Sequence, residues 1–217
     1  PAKLSLQSDI GIAGLRAYYK LNNDITDYSG NNNTATAINT LTGAENRFHE
    51  TDKAMSCSGA GLSVPTSLMG NAQNKTVSMW FKRRVNAGPA GLLLGYEIAS
   101  PGAWNPVLYI GNDGVLRSWI YQGGAAPMNT GVTVNDTLWH HVVFVTTGSN
   151  TQAVYFDGVQ KSTMSGNLNP GSPTLLKIGT GYANTGIPGI ANNGQQPFNG
   201  YIDEVRFYNA SLSAVDI

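Results

Sequence analysis

The chain has 217 residues, with 13 Lys and Arg against 13 Asp and Glu, a formal net charge of zero, and only 12% charged residues. A chain of that length can bury one sizeable core, and all-β sandwiches of this size fold as single domains. The balanced charge, without a Lys/Arg block of the kind that tracks phosphates, argues against nucleic acid or an anionic membrane surface as partner, and no apolar run approaches the ~20 residues of a membrane-spanning helix.

The 26 glycines and 22 asparagines supply turn formers in excess, which suits many short strands joined by polar turns. The single cysteine, Cys57, excludes an intrachain disulfide and reads as a small buried residue. Residues 1–11 lack the basic start and long apolar core of a signal peptide and read as a linker or extended lead-in to one domain over 12–217.

The first alternating run is Leu15, Ala17, Tyr19 and Leu21, which predicts a strand. Directly after it comes "DITDYSGNNN", Asp24 to Asn33, a turn that holds two aspartates, a glycine and three consecutive asparagines. The chain's only i,i+2 acidic pair, Glu50 and Asp52, follows in "RFHETDKAM", which lacks the apolar neighbours of a core strand. In "TVSMWFKRR", Val77, Met79 and Phe81 claim the core side and leave Ser78, Trp80 and Lys82 on the other.

Trp104, in the polar loop "SPGAWNPV", is either an anchor tucked against the sandwich or a platform at its rim. Beyond it, Leu108 and Ile110 face inward, so Tyr109 faces outward. Leu116 and Ile120 likewise leave Arg117, Trp119 and Tyr121 on the outer face. Sugar sites need an aromatic ring for the apolar face of a pyranose with polar groups beside it, so Trp104, Tyr109, Arg117, Trp119 and Tyr121 form a candidate exposed strip.

In "LWHHVVFV", His140 and His141 point to opposite faces and cannot converge on one ion, and Trp139 is expected in the core. Gly181 to Asn199 is a long loop with four glycines and two prolines, of a length that is usually functional or mobile. The tail "SLSAVDI" can begin a final helical turn capped by Ser211 or Ser213.

Three segments, "GLRAYYKLNNDITDYSGNNNTATAIN", "LWHHVVFVTTGSNTQAVYFDGVQ" and "FNGYIDEVRFYNASLSAVDI", resemble in that order the laminin-G-like branch of the concanavalin-A-like lectin/glucanase superfamily, over residues 14–217. The resemblance implies an all-β, two-sheet antiparallel jelly-roll sandwich whose first and last strands are neighbours, and, because members commonly carry a tryptophan at the place of Trp80, a packing role for that residue. It also implies a structural calcium ion (Ca2+) near those strands, with Asp27 and Asp203 as side-chain ligands and Ser29 or Asn31 giving an oxygen. Calcium takes six to eight oxygens in flexible geometry, which such a turn can offer. The alternative is an Asx-type turn, with Asp203 solvated or paired to Arg206.

Glycoside hydrolases of the superfamily carry acidic residues at alternate positions of one strand, because retaining chemistry wants two carboxyls about 5 Å apart. No such strand is present here. The expectation is a non-catalytic, calcium-stabilised domain of a secreted or cell-surface protein, carrying a glycan site and neighboured by further domains. The alternative is a structural or protein-binding spacer.

Overall fold

The alternating runs become strands because each gathers its apolar side chains on one face, and two antiparallel sheets bury those faces against each other. The computed structural model describes residues 14–84, 88, 91–97, 104–120, 124–148 and 150–217. The expected lead-in at 1–11 therefore lies outside the described residues.

In chain order the strands are β1 (Leu15–Tyr19), β2 (Thr36–Ile38), β3 (Thr42–Ala44), β4 (Ala54–Ser56), β5 (Gly61–Val64) and β6 (Lys75–Arg83). Then come β7 (Gly91–Glu97), β8 (Trp104–Ile110), β9 (Val115–Ser118), β10 (Met128–Thr133), β11 (His140–Thr147) and β12 (Thr151–Phe156). The last are β13 (Val159–Ser165), β14 (Leu175–Ile178), β15 (Tyr182–Ala183), β16 (Gly194–Gln195) and β17 (Gly200–Tyr208).

The first sheet runs β13-β12-β11-β6-β17-β4-β3, with β1 also paired to β17; the second runs β10-β9-β8-β7-β14-β5-β2. First and last strands are neighbours as expected, Tyr19 opposite Val205 and Ala17 opposite Phe207. Phe81, Phe144, Phe207, Leu94, Leu108, Leu116 and Leu176 fill the space between the sheets. Cys57 is buried there too.

One irregularity decides what the functional face contains. Strict alternation would put Asp203, Val205 and Phe207 on one side of β17. A bulge lies between Asp203 and Arg206, and Glu204 takes φ 55. The extra residue switches the parity: Ile202, Val205 and Phe207 enter the core, while Asp203 and Arg206 share the outer face.

The turn 24–33 covers the edge of β1 that β17 leaves free. Asp27 Oδ1 accepts the amides of Tyr18 at 2.9 Å and Ser29 at 2.8 Å, and Oδ2 accepts that of Asn33 at 2.8 Å. Ser29 Oγ donates to Arg16 O, and Nδ2 of Asn31 and of Asn33 to Leu15 O and Arg16 O. An uncovered edge strand invites foreign pairing, and these short polar side chains occupy its backbone groups.

Candidate functional site

Each sheet has an outer face, and the two differ in how they are covered. On the second sheet, the loop after β14 folds back over the strands. Ile187 and Ile190 pack with Leu92, Tyr109 and Ala183, and Trp119 lies half-buried against them. Tyr109 is 0% exposed and its hydroxyl donates to Pro188 O at 2.9 Å. Arg117 is buried, with two nitrogens on the Asp113 carboxylate at 2.8 and 2.7 Å; that guanidinium holds the Asp113 carboxyl down at about 2.

The expectation of an exposed aromatic strip at Tyr109, Arg117 and Trp119 is thus corrected. Parity placed them on the outer face rightly, but the apolar residues of the long loop use that face as a second, smaller core. Trp104 opens β8, while its side chain, and Tyr121 altogether, lie outside the described residues.

The outer face of the first sheet carries three rows of side chains set by strand register. Thr42, Ser56, Tyr201 and Lys82 stand opposite one another across β3, β4, β17 and β6. Asp203, Trp80 and His141 form the next row across β17, β6 and β11. Tyr18, Arg206, Ser78 and Val143 form the third, from β1 to β11.

The first row floors a cleft of ≈ 780 Å³, whose lining also includes Glu45, Arg84 and Thr137. The Arg84 guanidinium lies 4.4 Å over the Tyr201 ring and donates to Ser56 Oγ at 2.7 Å. Trp139 flanks the same ring at 6.5 Å and is half-buried, which corrects its expected place in the core: it precedes β11, so strand parity does not direct it inward.

Trp80 and His141 of the second row, with Ser78, Val143 and Arg206 of the third, floor a smaller pocket of ≈ 300 Å³, bordered by Leu212 and Asp216 of the tail. That tail forms a hydrogen-bonded turn over 214–216 in place of the expected helical one, with Ser213 Oγ and amide on the Asp216 carboxylate. The rings of His141 and Trp80 stack at 5.1 Å, and Arg47 lies 4.7 Å over Trp80, so Trp80 packs, as expected. His141 Nε2 and Ser78 Oγ share a 2.7 Å hydrogen bond. Burial first, then Arg206 and Arg47, push the His141 pKa down to about 4.

His140 faces the other way, between Asp157 at 2.8 Å and Asp136 at 3.0 Å. Although burial opposes it, those two carboxylates raise its pKa. The two histidines take opposite faces as the sequence requires.

Asp203 is 1% exposed; its Oδ2 meets Arg47 Nη1 at 3.1 Å and its Oδ1 makes no hydrogen bond of good geometry. Burial, with Glu204 adding to it, raises its carboxyl to about 7 against the pull of Arg47. Asp27 lies on the far side of β1: Tyr19 pairs with Val205 on one side and bridges Asp27 on the other.

Asp27, Ser29, Asn31 and Asp203 are therefore not gathered around one point, and three of the four Asp27 lone pairs already hold backbone amides. The residues as placed do not fit the implied shell of six to eight oxygens. Among the described residues no group of three or more His, Cys, Asp or Glu could hold a metal ion.

A family described as the concanavalin A-like lectin/glucanases superfamily matches residues 57–217. No curated protein matches the chain. Among solved structures, domain 4 of AbnA, a GH43 extracellular arabinanase from Geobacillus stearothermophilus solved with arabinotriose, is 21% identical, with TM-score 0.65 over 94% of this chain and 96% of that one. The binding domain of botulinum neurotoxin serotype C1 is 13% identical, with TM-score 0.67 over 96% of this chain and 51% of that one. The binding domain of Paraclostridial Mosquitocidal Protein 1 is 15% identical, with TM-score 0.64, and the chain spans 50% of its length. At such identities the likeness is one of fold.

Proposed function

Because the chain belongs to the concanavalin A-like lectin/glucanase superfamily, we propose that it is a non-catalytic carbohydrate-binding domain of a secreted or cell-surface protein, working beside other domains of a longer chain. The observation that carries this is the cleft on the first sheet. Its size is that of a small-molecule site, and it sets the Tyr201 ring among hydroxyls and cations that can hydrogen-bond sugar oxygens.

Among the cleft's described residues Glu45 is the sole carboxylate, where glycoside hydrolysis wants two flanking the scissile bond. Supporting the reading, the arabinanase domain with the same fold was solved with arabinotriose. The proposal does without calcium, for which the expected ligands are not gathered.

A glycan array followed by calorimetric titration tests it. Saturable binding of a saccharide, weakened about tenfold by Tyr201→Ala, is the expected result, a loss of the size a stacked ring and its neighbours supply. No binding across a broad array overturns it and leaves the spacer role.

A further inference from the structure

Resting on that reading, we infer that the cleft selects a saccharide bearing an anionic group, a carboxylate or a sulfate, held between Lys82 and Arg84 beside the Tyr201 ring. In a chain with so little charge, three successive cations border one cleft, Lys82, Arg83 and Arg84, against one carboxylate, Glu45. Glu45 is already engaged by His49 at 2.9 Å and lies half in solvent.

The three cations differ in what they have left to give. Arg83 donates to the carbonyls of Val134 and Gly88 and contributes only its field. Lys82 has no ion-pair partner among the described residues. Arg84 is fixed by the Tyr201 ring and Ser56 Oγ, which hold its guanidinium at the cleft.

A planar, oriented guanidinium suits a carboxylate or sulfate, and its ordering is already complete before the ligand arrives. Lys82 stands beside Tyr201 in the same register row, so both cations border one aromatic ring. The hydroxyls of Thr42, Ser56 and Thr137 remain for the neutral part of the sugar.

The test compares saccharides that differ only in charge: oligogalacturonate against its methyl ester, and sulfated against unsulfated dextran oligosaccharides, with poly-glutamate as a non-sugar polyanion. Calorimetry on the whole chain is expected to show a charged form bound about tenfold or more tighter than its neutral counterpart, as charge-assisted hydrogen bonds imply. The advantage should shrink at high salt; Lys82→Gln should abolish it at unchanged melting temperature, and Arg84→Gln should abolish it in a chain that stays folded but melts lower, since its contacts with Tyr201 and Ser56 are lost. The carboxylated and sulfated arms identify which anion is taken. Equal binding of charged and neutral forms overturns the inference and leaves the carbohydrate reading standing, as does retention of poly-glutamate as strong as that of the charged sugars. Binding of no saccharide removes both.

Discussion

Asp203 and Arg47 meet at 3.1 Å although 156 positions separate them, with the Arg47 guanidinium over the ring of Trp80 and the carboxylate almost wholly enclosed. Burial raises Asp203 from its ordinary 3.8 to about 7, and lowers the nearby His141 from 6.5 to about 4. Between pH 4 and 7 the folded state binds more protons at Asp203 than the unfolded chain does, so this group makes stability fall as pH rises. At His141 the folded state binds fewer between pH 4 and 6.5, so that group makes stability rise.

The two contributions oppose each other on either side of Trp80, where Arg206, Glu204 and Asp157 also act on them. Denaturant melts at several pH values should give a shallow profile for the native chain. Asp203→Asn should unmask a rise from pH 4 to 6.5, and His141→Gln a fall from pH 4 to 7. Parallel profiles for all three would contradict the assignment.

Asp27 should matter as an acceptor of amides. Its carboxyl is held below its ordinary value by the amides of Tyr18, Ser29 and Asn33, which outweigh partial burial. Asp27→Ala should cost about 2–3 kcal/mol, the scale of several lost bonds to a charged acceptor. The loss should be the same with calcium or with a chelator; a melting temperature that rises with calcium in the native chain and not in the variant would restore the metal.

The loop over the second sheet should behave as core. Ile190 is 6% exposed, and Ile190→Ala should cost ~2 kcal/mol, at the lower end for truncating a buried aliphatic chain. Acrylamide quenching of tryptophan should rise as Trp119 opens to solvent. Saccharide affinity should stay unchanged, because the cleft lies on the other sheet.

Gly179 offers a sharper packing test. It takes φ +76, and a Cβ there would stand 2.8 Å from Cys57 Sγ. Gly179→Ala should destabilise by roughly 1–3 kcal/mol through overpacking and backbone strain together. Adding Cys57→Ala should recover only part, since the positive φ persists; full recovery would show that steric contact alone was at stake.

The sandwich was legible because alternation is local. Val77, Met79 and Phe81, or Leu116 and Ile120, declare their face without reference to anything distant. The neighbouring of β1 and β17 came with the family segments. What stayed hidden depends on contacts between remote segments. Parity put Tyr109 and Trp119 outside their sheet, yet nothing in it tells that Ile187 and Ile190 return to cover them.

The row Thr42, Ser56, Tyr201 and Lys82 is assembled from four strands, so no stretch of sequence displays it. Its signal was present in pieces, since "TVSMWFKRR" leaves Lys82 on the outer face and "GYIDEVRFY" leaves Tyr201 opposite in parity to Ile202. The bulge at Glu204 erased the rest of that signal by changing the parity before Arg206.

Amide chemical-shift mapping during saccharide titration tests the central claim most directly. Saturable shifts should centre on Thr42, Ser56, Lys82 and Tyr201, the row that floors the cleft. Saturable shifts confined to Trp119 and the loop at 181–199, with that row unmoved, would contradict it.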